Sequence, residues 1–414
     1  MDGIQSVFAC LVLALLAWLC SENKRRIDVR AVACGLLLQY LLAAVLIKIP
    51  VLSRFMGGLN DVVDILEQAT RAGASFAFGY LGGGPAPFAV LDTGATYVLA
   101  FRGLLLLLTI GALTSLFFYW RILPWIVRWF SLLLRRTLGI GGALGVAAAA
   151  NVFLGMVESP MLIRPYLGSM TRSEMFSMMT VGMSTIAGTV LVLYASILAP
   201  ALPGALGHIL LASLLSVPAA LLLSRLMVPE TGLPTAGEAI PPQEAQGMFD
   251  AIVKGTQQGI ALYIPILGLL IVLVALVTLV NLGLAWLPEF AGAPLTLQRI
   301  LGLIMAPVVW LIGVPWAEAA TAGSLMGVKT VLNELLAYLE LSRLPAGALS
   351  PRSSIIMTYA LCGFANFGSL GIMIGGLGAL APERRSEIVQ LGPRSLLSGT
   401  LATLMTGAVA GAFY

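Results

Sequence analysis

Asn151-Val-Phe-Leu-Gly-Met-Val-Glu158-Ser-Pro160 sets a carboxylate between a glycine and a proline, inside a stretch that is otherwise apolar. A second acid, in Asn333-Glu334, stands in a similar setting in the other half of the chain. A carboxylate within a membrane-buried segment is expensive unless it is paired, hydrated or engaged by a ligand, so each acid is a functional candidate. Either one alone reads equally well as a group satisfied inside a helix bundle or at a lumen edge. Two in matching contexts read as the two halves of one binding site.

The surroundings of both stretches are those of an integral membrane protein. Hydrophobic residues make up 59% of the 414 and charged residues 10%, against roughly 25% charged in a soluble domain. The formal net charge of +4 is modest. The basic residues cluster in short loops, which points to membrane orientation and away from nucleic acid. Cys10, Cys20, Cys34 and Cys362 lie in apolar runs without CxxC spacing and read as small hydrophobes. With His208 as its single histidine, the chain offers neither a histidine-based metal site nor a Ser-His triad. No nucleophile is paired with a base, so covalent catalysis is not expected.

A helix needs about 20 apolar residues to cross the hydrocarbon. By that measure spans fall near 4–20, 31–49, 96–118, 174–200, 206–228, 257–286, 354–380 and 394–414. Asp2 precedes the first apolar run and Lys24-Arg25-Arg26 follows it. A cleavable signal peptide has the opposite order. The first run is therefore a retained span with its N-terminus outside. Arg121, Arg128, Arg135, Arg136, Arg225, Lys254, Arg384 and Arg385 then all fall inside, and the C-terminus lies outside.

Three kinds of segment are not simple spans. Residues 50–93, with Asn60, Asp61, Asp64 and a Gly-Gly-Gly-Pro run, read as an interfacial helix and an external loop. Residues 229–248 read as a cytoplasmic linker. The stretches 139–170 and 315–347 are apolar but interrupted by Gly, Pro, Asn and Glu. Irregular backbone at membrane depth survives only against protein or a water-filled cavity, so both fit re-entrant hairpins.

The order of elements repeats. Span 96–118 leads to a Trp-rich amphipathic segment (119–136), a hairpin and two spans; span 257–286 leads to an apolar segment (296–313), a hairpin and two spans. Local sequence agrees, since Met179-Thr180-Val-Gly-Met-Ser-Thr185 parallels Met357-Thr358-Tyr-Ala-Leu-Cys-Gly363. The first unit starts outside and the second inside, so the repeat is inverted. Inverted repeats with discontinuous helices place substrate and coupling ion near the midplane. The expected division is residues 1–95 as an N-terminal two-helix part of the scaffold with an interfacial segment, 96–228 and 257–414 as the repeats, and 229–256 as a cytoplasmic linker and helix.

The run from Asn151 to Pro160, followed by Arg164-Pro-Tyr166, Met170-Thr171-Arg-Ser-Glu174 and Met179-Thr180, resembles the first hairpin and following helix of concentrative nucleoside transporters. Gly327-Val-Lys329, Asn333-Glu334-Leu-Leu-Ala-Tyr338 and Tyr359-Ala-Leu-Cys-Gly-Phe364-Ala-Asn366-Phe-Gly-Ser369 extend the resemblance through residue 414 in the family's order. The resemblance implies an all-α polytopic membrane protein with eight transmembrane helices and two re-entrant hairpins. It also implies a homotrimer in a bacterial inner membrane, with scaffold and mobile transport parts working as an elevator, and no organic cofactor.

It assigns residues as well. Glu334, Asn366 and Ser369 would hold ribose hydroxyls. Gly155, Met156, Val157 and Glu158 would face the nucleobase, with apolar contact from Val190 and Phe364. A co-transported sodium would lie on Asn151, the Leu154 carbonyl, Thr185 and the Ile186 carbonyl; back-bonding to its own helix is the plain alternative for Thr185. Many relatives carry Gln-Thr where this chain has Met156-Val157, and purine-preferring relatives resemble it at Gly155-Met156 and Thr189-Val190. The expected activity is sodium-coupled import of nucleosides, purine nucleosides favoured. The alternatives are proton coupling through Glu158 or Glu334, or a non-transporting, channel-like bundle.

Overall fold

A chain this apolar has to satisfy its backbone within its own segments, and among the described residues every regular element is helical. The computed structural model describes residues 2–26, 29–89, 97–236, 245–289, 292 and 294–414. The first half comprises α1 (Asp2–Leu19), α2 (Val29–Lys48), α3 (Pro50–Phe78), α4 (Leu106–Tyr119), α5 (Ile122–Leu138), α6 (Gly142–Leu154), the single turn α7 (Glu158–Met161), α8 (Arg172–Ser184), α9 (Gly188–Leu198) and α10 (Ala205–Met227). The second comprises α11 (Met248–Leu284), α12 (Leu297–Leu311), α13 (Trp316–Val331), α14 (Glu334–Ser342), α15 (Pro351–Leu361), α16 (Phe367–Leu380) and α17 (Arg385–Gly411).

The repeat is visible in this order. α4 to α10 and α11 to α17 each run as helix, amphipathic helix, two-armed hairpin, broken helix and long helix, although α4 begins only at Leu106 of the span expected over 96–118. The elbow between α4 and α5 is 74°, and that between α12 and α13 is 117°. Both hairpins expected from sequence are present, α6–α7 and α13–α14. Residues 50–78 form one 29-residue helix. Expected loop positions 90–93 and linker positions 237–244 lie outside the described residues.

The spans expected over 174–200 and 354–380 are each interrupted. α8 stops at Ser184 and α9 resumes at Gly188; α15 stops at Leu361 and α16 resumes at Phe367. No proline causes either break. The two extended segments cross instead, and the Phe364 amide donates to the Thr185 carbonyl at 3.2 Å. A bond between the halves thus replaces bonds that continuous helices would make within themselves. At the crossing Gly363 has φ 157°, and a Cβ there would lie 2.9 Å from the Ser184 carbonyl oxygen and 2.7 Å from Thr403 Cγ2. Only glycine fits.

Packing divides the helices into two groups. α4 lies along α11, and the pair touches backbone to backbone, since a Cβ on Gly255 would sit 2.4 Å from the Gly111 carbonyl oxygen. Small residues allow such approach between helices in a membrane. Elsewhere α11 is largely exposed, with Ile264, Ile271, Leu279 and Leu282 outward. The other group centres on α10 and α17, which pack on each other, on α8 and on α15. α1 and α2 join this group: Ser6 Oγ donates to the Ala408 carbonyl at 2.6 Å, and Gln39 Nε2 to the Leu215 carbonyl and Thr406 Oγ1, both at 3.2 Å. At the end carrying the α1–α2 loop, Glu22 accepts from Arg172 at 2.8 Å and pairs with Arg394. The Arg172 hydrogen bond holds the Glu22 carboxyl below the usual carboxylate range.

Candidate functional site

The hairpin tips and the helix breaks meet around one cavity of about 220 Å³. Its wall includes Gly155, Met156, Val157 and Glu158 from hairpin 1, Val190 and Tyr194 from α9, Asn333 and Glu334 from hairpin 2, and Phe364, Asn366 and Ser369 from the second break. All nine residues expected to bind substrate therefore line a single space. α9, α14 and α16 begin at this wall, so the positive ends of three helix dipoles point at it.

Local sequence dictates these starts. Asn333 Oδ1 accepts from the Leu336 amide at 2.9 Å and caps α14; Asn366 Oδ1 accepts from the Ser369 amide at 2.7 Å and caps α16. Asparagine is among the best N-caps because its short side chain reaches a free amide two or three residues on. At hairpin 1, Gly155 has φ 99°, and a Cβ there would meet Ala187 Cβ at 2.9 Å and Glu158 Oε2 at 3.0 Å. Glycine lets this tip turn directly against the first break.

Glu334, only 4% exposed, is the best-supported polar group in the wall. Tyr194 Oη donates to its Oε1 at 2.6 Å and Asn366 Nδ2 to its Oε2 at 2.9 Å. Each carboxylate oxygen keeps a further acceptor position, which suits sugar hydroxyls. Glu158 lines the same cavity and also a second pocket of about 140 Å³ with Thr114, Arg121, Lys254 and Gln258. It therefore stands between the two pockets, and α11 lines the central cavity as well, through Leu262, Ile266, Leu269 and Leu273. The base-side wall is apolar, formed by Met156, Val157, Ala187, Val190, Leu193 and Phe364.

The four expected cation ligands also gather. Asn151 and Leu154 close α6, and Thr185 and Ile186 form the first break. The two segments touch, since a Cβ on Gly188 would lie 2.8 Å from the Phe153 carbonyl oxygen. Asn151 is 2% exposed, and among the described residues its Oδ1 meets no hydrogen-bond donor. Thr185 Oγ1 donates to the Val181 carbonyl at 2.9 Å. The back-bonding considered for it is real, yet the hydroxyl oxygen keeps lone pairs for a cation. A carboxamide, a hydroxyl and backbone carbonyls at unwound helices are the donors that suit a hard monovalent ion.

Sequence reasoning left Tyr194 unnoticed and gave no individual role to Thr189 or Lys329, although both stand in stretches that carry the resemblance. Tyr194 sits in an apolar run with nothing to mark it. Thr189 lines the cavity, and its buried Oγ1 lacks a partner among the described residues. Lys329 is fully buried behind hairpin 2 and donates to the Ala360 carbonyl at 2.9 Å and to Thr403 Oγ1 at 2.8 Å. The lysine inside an apolar run and the Thr189-Val190 pair were the available signals.

Known proteins agree with this architecture. Residues 8–81 match the family model described as Na+ dependent nucleoside transporter N-terminus, 100–201 that described as nucleoside recognition, and 208–411 the Na+ dependent nucleoside transporter C-terminus. The nucleoside permease NupC of Helicobacter pylori is 34% identical, covering 100% of this chain and 98% of its own. The sodium/nucleoside cotransporter 1 of Rattus norvegicus is 34% identical over 98% of this chain and 62% of its own. The structure of CNTnw in an inward-facing substrate-bound state matches with a TM-score of 0.90 at 32% identity, covering 100% of this chain and 98% of that one. A CNTnw variant in an outward-facing state gives 0.89 at the same identity and coverage.

Proposed function

This chain belongs to the family of Na+-dependent nucleoside transporters, and on that footing we propose that it imports nucleosides driven by sodium, purine nucleosides in preference. Members of the family are transporters and not enzymes. The observation that carries the reading is the convergence of both acid-bearing hairpins and both helix breaks on one cavity. In it Glu334, Asn366 and Ser369 offer acceptors and donors to ribose, and Glu158 and the residues before it face the base. Met156 and Val157 give the base no hydrogen-bonding group, which favours a large flat purine over the polar edge of a pyrimidine.

Sodium binds between the end of α6 and the first break, where Asn151 Oδ1 awaits a partner. Filling that site fixes hairpin 1 against α9 and completes the base side of the cavity, so ion and nucleoside stabilise each other. A tenfold sodium gradient supplies about 1.4 kcal/mol and a charge crossing 100 mV about 2.3 kcal/mol, so one ion drives roughly a few-hundred-fold accumulation. The hairpins, broken helices, α10 and α17 move as an elevator along α4 and α11. CNTnw has been solved in inward-facing, intermediate and outward-facing states, which supports such motion. The exposed apolar face of α11 fits a subunit contact in a homotrimer. Basic loops place both termini outside a bacterial inner membrane.

Uptake of labelled adenosine, inosine and uridine into vesicles holding the purified protein tests this. An inward sodium gradient should drive saturable accumulation that choline does not support. Accumulation driven by a proton gradient alone would assign proton coupling, and uptake that never saturates would assign a channel.

A further inference from the structure

A helix that ends inside the membrane leaves its last carbonyls without intrahelical donors, and something has to satisfy them. At the end of α15 the two arms of hairpin 2 do so. Tyr338 Oη, from α14, donates to the Thr358 carbonyl at 2.8 Å. Lys329 Nζ, from α13, donates to the Ala360 carbonyl at 2.9 Å and to Thr403 Oγ1 of α17 at 2.8 Å. The hairpin thus straddles the end of α15, with a fully buried ammonium at the negative pole of that helix.

The first repeat has the same layout and a different occupant. In the parallel between Met179-Thr180 and Met357-Thr358, Gly182 corresponds to Ala360. Two hairpin 1 side chains reach Gly182: Met156, whose Cβ lies 2.9 Å from where a Gly182 Cβ would be, and Asn151, the polar one, whose Nδ2 lies 3.6 Å from it. Asn151 Oδ1 meets no donor among the described residues. One hairpin therefore brings a cation to its helix break, and the other brings an unmet oxygen that asks for one.

We infer that Lys329 is the built-in counterpart of the co-transported cation. Its ammonium does at the second break what sodium does at the first, holding the segment from Cys362 to Asn366, and with it Phe364 and Asn366, in binding geometry. Lys329 is a positioning residue and does not touch substrate. A symmetrical fold then carries an exchangeable cation in one half and a fixed one in the other. This inference rests on the sodium site read above.

The test compares Lys329→Met and Lys329→Arg with the wild type in two assays, sodium activation of adenosine uptake and thermal stability of purified protein in sodium against choline chloride. The Arg variant keeps the charge, so its sodium curves should match the wild type and its uptake stay within about threefold, an ordinary cost of repacking. The Met variant should need about tenfold more nucleoside for half-saturation and acquire a second, weaker sodium dependence, as linkage requires of a new site that stabilises the fold. High sodium should recover it. Met-variant curves with the wild-type shape in both assays would overturn the inference, as would a Met variant that no sodium concentration rescues. A wild type indifferent to sodium would sink the underlying sodium site and leave the hydrogen bonds of Lys329 as found.

Discussion

Around hairpin 2 the polar groups have found one another: Glu334 with Tyr194 and Asn366, Lys329 with Ala360 and Thr403, Tyr338 with Thr358. Around hairpin 1 they have not, and Asn151 Oδ1, Thr180 Oγ1 and Thr189 Oγ1 are buried without partners among the described residues. An unmet buried polar group costs about 1–3 kcal/mol. Three of them beside one hairpin are a standing cost that a bound ion and a bound base can remove. On the proposed reading hairpin 2 would be a preformed grip for the sugar, and hairpin 1 would be completed by its ligands. Coupling to sodium, as proposed, would follow from that difference, because only the incomplete half has anything to gain from the ion.

Glu334→Gln breaks the preformed half and should have the largest effect. A glutamine cannot accept at both terminal atoms, so its amide nitrogen would face a donor at either Tyr194 or Asn366. Losing the charge as well should lower the efficiency of adenosine uptake by roughly a hundredfold. Initial rates with adenosine and with an analogue lacking ribose hydroxyls provide the check, and the analogue should lose less. Equal losses would remove Glu334 from the sugar.

Asn151→Ala sharpens the other side of the comparison. The sodium needed for half-maximal uptake should rise about tenfold, the value of one good polar contact. Thermal stability measured without sodium should not fall, because the substitution deletes an unmet buried oxygen. A variant destabilised equally with and without sodium would show that Asn151 is structural.

Met156→Gln with Val157→Thr should act least. It restores hydrogen-bonding groups at the base wall, and paired competition between inosine and uridine should shift toward uridine by about three- to tenfold. A wild type that already prefers uridine would contradict the base reading and leave the sugar and cation sites standing.

The comparison also marks what the sequence could disclose. Both hairpins were readable because Gly155, Glu158, Pro160, Asn333 and Glu334 interrupt apolar runs where a simple span has no use for them. The second helix break was not. Leu361 to Asn366 is nearly as apolar as a continuous helix, and what holds it open is the Phe364 amide on the Thr185 carbonyl of the other repeat. Such a bond between residues far apart in the chain has no local signature. Tyr194 was hidden in the same way, since only the fold shows which carboxylate its hydroxyl meets. Lys329 was in plain sight within Gly327-Val-Lys329, but its role depends on where α15 ends. Hydropathy finds the spans, and tertiary contacts decide where they break.

The most direct test of the account is reciprocal linkage in the purified protein. Nucleoside affinity is measured at low and saturating sodium, and sodium affinity with and without nucleoside. If sodium completes hairpin 1 and so completes the nucleoside site, each ligand should tighten the other by the same factor, about tenfold or more, and Asn151→Ala should weaken both effects together. Nucleoside affinity that is independent of sodium in the wild type would contradict it.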